Sequence, residues 1–165
     1  MIAKSWFDRC WQLKIGGCVA IFGTLCAMSS DRVNAQIVPD NTLGAESSVV
    51  TSDVNIRGIP SDGIDGGVTR GANLFHSFQD FNVGEGRGAY FANPTGIENI
   101  LTRVTGSNTS NISGRLGVLG EANLFLLNPN GIVFGPNATL DIQESFVATT
   151  ADRVQVGDTG YFSAT

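Results

Sequence analysis

Two pairs of carboxylates are the first candidates for chemistry in this sequence: Asp62 and Asp65 in PSDGIDGG, and Asp80 and Glu85 in QDFNVGEG. Acid–base cleavage of a polysaccharide needs two or three such groups converging on one face, or a basic residue beside a metal. Both pairs sit among turn-forming residues, where Asp closes Asx turns and Glu is solvated. The expectation is therefore structural, with no catalytic residue. DGIDGG also resembles a calcium-binding repeat, but such repeats return about every nine residues and this piece occurs once.

His76 is the one histidine. Between Phe75 and Ser77, with no second His or Cys nearby, it lacks the partners of a metal site or general base, and a partly buried structural role is expected. Phe75, Phe78 and Phe81 fall three apart, which suits either a short amphipathic helix for a partner's groove or the packing of a cap. Cap packing is expected, because an uncapped solenoid exposes its core. Asn108-Thr109-Ser110, Asn111-Ile112-Ser113 and Asn137-Ala138-Thr139 match glycosylation acceptors and are read as turn chemistry. No metal or cofactor is implied.

The elements that would position these residues begin after a leader. Lys4, Arg9 and Lys14 precede the apolar run Ile15 to Ala27, and Val33-Asn34-Ala35 offers small or modest residues for cleavage. A Sec signal over 1–35, cut between Ala35 and Gln36, is expected. The run is short for a membrane anchor, which needs about 20 apolar residues. Cys10, Cys18 and Cys26 all fall before Gln36, so the exported part can form no disulfide. Lys4, Arg9, Lys14, Arg32, Asp8 and Asp31 also fall there, leaving 6 of the 10 basic and 13 of the 15 acidic residues. That acidic balance repels phosphate backbones and argues against nucleic acid as a partner.

From Gln36 onward the apolar residues come in bursts of two to five, separated by Gly, Asn, Pro, Ser and Asp, an all-β pattern. The bursts include Ser48–Thr51, Asn73–Phe75, Gly88–Phe91, Ile100–Val104, Leu116–Leu119, Leu124–Leu127, Ile132–Phe134 and Ser145–Ala148. In Asn128-Pro129-Asn130-Gly131 the residue types suit a type I turn, or type II if Asn130 takes φ > 0. Gly135-Pro136-Asn137 follows after only Ile132-Val133-Phe134, too short a strand to cross a β-sandwich. Corners this close describe a β-solenoid, whose turns stack each strand on its equivalents. FANPTGI (91–97) echoes LLNPNGI (126–132) at an offset of 35, and ANLF recurs from Ala72 to Ala122 at an offset of 50. Roughly 20 residues per coil would give about six coils, with a stack about 30 Å tall. Asparagines at repeating corners could stack as an amide ladder.

GGVTRGANLFHSFQDFNVGEG (66–86), ILTRVTG (100–106) and ANLFLLNPNGIVFGPNATLDIQESFVATTAD (122–152) resemble the filamentous-haemagglutinin-type secretion domain of two-partner-secretion exoproteins. The likeness runs from about Val38 to the end of the chain. It implies a right-handed parallel β-helix with an N-terminal cap, exported through Sec and read in the periplasm by the POTRA domains of an outer-membrane transporter. Folding then takes place outside the cell. Asn128 to Ile132 match the second family motif. The first, usually NPxL-like, falls at Asn108-Thr109-Ser110-Asn111-Ile112, where Thr109 replaces the proline, and Asn93-Pro94 is a candidate for part of that turning role. Family domains run longer, so residues 36–165 are expected to be an incomplete secretion domain. Val154, Val156 and Phe162 would then lie bare for want of a next coil, an edge that invites self-association.

The resemblance implies a secreted or cell-surface, non-enzymatic secretion module. The corner residues Asn128, Pro129, Asn130, Gly131, Ile132, Asn93, Pro94 and Asn108 are the candidates for what is read or must turn. A surface adhesin binding carbohydrate or neighbouring cells is the alternative.

Overall fold

A computed structural model describes residues 36–158 and 160–165. The leader expected over 1–35, Ala35 included, lies outside the described residues. Every regular element among them is a strand. The path opens with β1 (Ile37–Pro39), β2 (Ser48–Ile56), β3 (Ile59–Gly66) and β4 (Val68–Arg70), then enters a coil through β5 (Asn73–Phe81) and β6 (Gly88–Ala92). One turn on, it runs through β7 (Asn99–Val104), β8 (Ser110–Ile112) and β9 (Arg115–Leu119). The next turn is β10 (Asn123–Leu127), β11 (Ile132–Phe134) and β12 (Thr139–Asp141), after which β13 (Phe146–Thr149) begins another. A hairpin of β14 (Arg153–Val156) and β15 (Gly160–Ser163) follows.

Three parallel stacks make the solenoid. One carries β5, β7, β10 and β13, a second β3, β6, β9 and β12, and the third β8 and β11, extended by a bridge from Val83 to Ile112. The N-terminal strands pair the other way: β1 and β4 run antiparallel to β5, and β2 to β3. These antiparallel strands are the cap, and they occupy the otherwise free edges of the first coil.

The solenoid makes about four turns, fewer than the roughly six that a 20-residue coil implied. Asn73, Asn99 and Asn123 share one register position, 26 and 24 residues apart, and the N–H of Ser145 meets Asn123 another 22 further on. Each turn has three faces to cover, and the cap takes the chain as far as Arg70. The offset of 50 is therefore two full turns. The offset of 35 joins unlike corners, since Asn93 follows β6 and Asn128 follows β10.

Alternation places Leu74, Ile100, Leu124 and Leu126 inside, packed with Ile64, Phe91 and Leu116 from the opposite stack. The outward partners Phe75, Leu101, Phe125 and Leu127 are not left to solvent. The β14–β15 hairpin lies on them through Phe162, Val154 and Val156, with the Phe75 and Phe162 rings 5.0 Å apart. This corrects the expectation that these three residues would be bare: they cover the outside of a sheet rather than waiting on a next coil.

Close stacking also leaves places where no side chain fits. Tyr90 on β6 is in register with Gly117 on β9, and a Cβ on Gly117 would lie 2.4 Å from its ring and 3.0 Å from the Asp141 carbonyl. Gly117→Ala is expected to cost about 1–3 kcal/mol by overpacking, seen as a lowered midpoint in urea unfolding.

Candidate functional site

Asn128 anchors a column of corners that runs along the solenoid. Its side chain is fully buried. Nδ2 donates to the Asn108 carbonyl at 3.0 Å and to Ser110 Oγ at 2.9 Å, both on the preceding turn. Oδ1 accepts from the Asn130 N–H at 3.0 Å, an Asx turn, and the Gly131 N–H closes the corner on the Asn128 carbonyl at 3.0 Å. The Asn128 N–H points the other way, to Thr149 O at 3.0 Å on the following turn. Asn130 is not among the positive-φ residues, whereas Gly131 has φ 112°, so the turn is type I and not type II. Pro129 fills the position where φ near −65° is wanted and no N–H is required.

The structure brings Asn108 directly beneath Asn128, and Asn108 Nδ2 in turn donates to Asp80 Oδ1 at 2.8 Å. Asp80, Asn108, Asn128 and Thr149 thus link four successive turns. Thr109, standing where a proline was expected, donates its hydroxyl to the Asn130 carbonyl at 2.8 Å. The substitution replaces a rigid corner by a bond to the next one. Ile132 starts β11 and pairs with Ser110.

Asn93 and Pro94 are not part of this column. They turn the chain from β6 to β7, and the closing bond runs from the Ile97 N–H to the Pro94 carbonyl at 3.2 Å with Gly96 at φ 86°. That is the glycine position of a type II turn, one residue out of step with the Asn128 corner.

Phe75, Phe78 and Phe81 all lie on β5. Phe78 and Phe81 enter the core and touch at 5.3 Å, while Phe75 faces outward to Phe162. An extra residue near Gln79, seen as a register shift opposite β1, lets residues 78 and 81 point the same way. Their neighbour His76 is wholly buried between Phe78 and Phe91; Nδ1 lies 3.0 Å from Ser48 Oγ on β2, and Nε2 meets no partner.

The carboxylate pairs do not converge. Asp62 and Asp65 lie within β3, not in a turn, because pairing with β2 and β6 overrides the local turn preference. Asp62 is buried against Arg87, which also grips Asp53. Glu85 Oε1 accepts from Asn137 at 2.6 Å. Among the described residues no group of three or more His, Cys, Asp or Glu could hold a metal. Of the three sequon asparagines, Asn111 lies in strand β8 and not in a turn.

Of two further polar systems, one was expected from sequence at other positions and the other was missed. Asn99 Nδ2 donates to Asn73 Oδ1 at 3.0 Å and Asn123 Nδ2 to Asn99 Oδ1 at 2.9 Å, an amide ladder at the start of the β5 stack and not at the proline corners. The offset of 50 held its signal. The second is a clasp: Arg103 Nε donates to Ser77 Oγ and Nη2 to Thr42 Oγ1, both at 2.9 Å, while its guanidinium covers the Phe162 ring. Asp40 accepts from Thr42, Ser77 and Thr105. Burial pushes the Asp40 carboxyl up, but these bonds outweigh it and hold the group below the usual range.

Capped parallel coils joined by asparagine corners, with Asn128 buried among them, define a β-solenoid module whose ordered polar groups serve stacking. Residues 35–165 match the model of the TPS secretion domain, and the chain belongs to that family. It is also similar to the heme/hemopexin-binding protein of Haemophilus influenzae, 31% identical over 83 residues. The match covers 50% of this chain and 9% of that protein.

Proposed function

We propose that this chain addresses an exoprotein to the POTRA domains of its outer-membrane transporter and, once outside, supplies the first coils on which folding proceeds. The transporter reads an extended chain, and the Sec signal over residues 1–35 delivers it to the periplasm. The burial of Asn128 carries the reading. A side chain with no exposed surface in the folded domain can be recognised only before folding, and afterwards it serves the corner. The absence of cysteine after Gln36 leaves nothing to lock the chain early in an oxidising compartment. Pairings 20 to 28 residues apart along the corner column form late, which favours an export-competent state.

The named activity of the Haemophilus relative involves heme, and the buried ring of His76 offers no exposed imidazole for an iron. Self-association, where it occurs, would use the edges of β11, β12 and β13, which expose Val133, Leu140 and Val147, and not Val154, Val156 and Phe162, which pack on the outer sheet.

The test is co-purification of the urea-unfolded chain, diluted onto immobilised POTRA domains of a cognate transporter. The unmodified chain should be retained and Asn128→Ala lost from the resin. Equal retention of both chains restricts Asn128 to the folded corner; no retention of either sinks the transporter assignment.

A further inference from the structure

An open groove of about 680 Å³ runs along the third stack, between the Asn82–Glu85 corner and β8. Its size is within the range of about 300–1,000 Å³ usual for small-ligand clefts. The walls are Asn82, Glu85, Asn108, Thr109, Asn111 and Ser113. None carries a positive charge or an aromatic ring.

The backbone at the Val83 rung of this groove is already paired. The Val83 N–H donates to the Asn111 carbonyl at 2.9 Å, and the Val83 carbonyl accepts from Ser113 at 2.7 Å and from Gly114 at 3.1 Å. A peptide strand seeking main-chain partners therefore finds none free on Val83. What remains available belongs to side chains. Asn111 is exposed, and its Nδ2 reaches only the Thr109 carbonyl at 3.4 Å. The Asn82 amide oxygen accepts from the Asn111 N–H at 2.9 Å, but its NH₂ and the Ser113 hydroxyl make no bond among the described residues.

Amides and hydroxyls that both donate and accept match vicinal sugar hydroxyls, which do the same. The one carboxylate on the wall, Glu85, opposes an anionic ligand, and no lysine or arginine lines the groove to attract one. We propose that this groove binds a neutral oligosaccharide, with the side chains of Asn82, Asn111 and Ser113 as the specificity contacts. This is separate from the export role, since it belongs to the folded domain and the transporter meets the extended chain.

Isothermal titration of the full chain tests it, with maltohexaose, laminarihexaose and N-acetylchitohexaose as neutral probes, a heparin octasaccharide as the anionic one and a Ser/Thr-rich hexapeptide as the extended-chain one. At least one neutral hexasaccharide should bind, and Asn111→Ala combined with Ser113→Ala should weaken it about tenfold or more. Thermal melting should be nearly unchanged in this variant, because both side chains are at the surface. Binding to none of the neutral sugars, preference for heparin or the peptide, or unaltered sugar affinity in the double variant would each overturn the proposal.

Discussion

Asn128→Ala is expected to destabilise the folded domain by about 3–5 kcal/mol, among the largest effects of any single side-chain truncation here. The size follows from what is left behind. The methyl group of alanine returns nothing to the Asn108 carbonyl, to Ser110 Oγ or to the Asn130 N–H, and Ser110 is itself fully buried. Each buried group left without a partner costs about 1–3 kcal/mol, and water reaches the corner poorly. Asn128→Asp separates the two ends of the amide: it keeps the acceptor for Asn130 but turns an oxygen toward the Asn108 carbonyl, so at neutral pH it should be at least as damaging. Asn130→Ala, an exposed neighbour bonded to the Gly106 carbonyl at 2.8 Å, should cost only about 0.5–1.5 kcal/mol. Urea unfolding followed by circular dichroism ranks the three. Equal losses for Asn128→Ala and Asn130→Ala would mean that the corner is held by its turn geometry and not by the bonds to the preceding rung.

The strands of the coil were legible because their sequences alternate or run apolar between strong turn residues. Gly88–Phe91, Ile100–Val104, Leu116–Leu119, Leu124–Leu127 and Ile132–Phe134 each fall inside an observed strand. What sequence hid was long-range pairing. PSDGIDGG reads as a turn by composition, and only the β2 and β6 neighbours make it a strand. Three-residue strands such as β4 and β12 carry too few residues for any period to show. At the corners, residue type located the Asn128 turn, with types I and II both open, but not its partner. The bond to Asn108 spans 20 residues, and the closer sequence echo at Asn93 belongs to another corner with another turn type. The Arg103 clasp had no local signal at all, since it joins Thr42, Ser77 and the last hairpin across 61, 26 and 60 residues.

The cap joint should make the domain sensitive to mild acid through His76. Burial drives its imidazole down from 6.5 to about 4, with no opposing charge contributing. Its ring lies between Phe78 and Phe91, with Ser48 of β2 at one nitrogen and Gly67 close enough that a Cβ there would come within 3.0 Å of the ring. A histidine held neutral in the folded state and protonated in the unfolded chain destabilises folding as pH falls. Stability is complete above about pH 6.5, declines from there to about pH 4, and suffers no further loss from this residue below that. The difference amounts to about 3 kcal/mol. Asp40 and Asp141 titrate in a different window. Bonds from Thr105, Thr42 and Ser77 outweigh burial at Asp40, and the Tyr90 hydroxyl is the main cause at Asp141, so both carboxyls fall below 3.8. Their stabilisation is present above that value and lost only as pH drops through the lower folded values. His76→Leu separates the windows: the unmodified chain should lose stability between pH 6.5 and 4 in urea titrations, and the variant should stay flat there while still weakening in stronger acid. A variant that loses as much as the unmodified chain between pH 6.5 and 4 would move the acid sensitivity away from His76. Within that window folding must release the His76 proton before β2 can close over the ring, so cap formation should slow as pH falls.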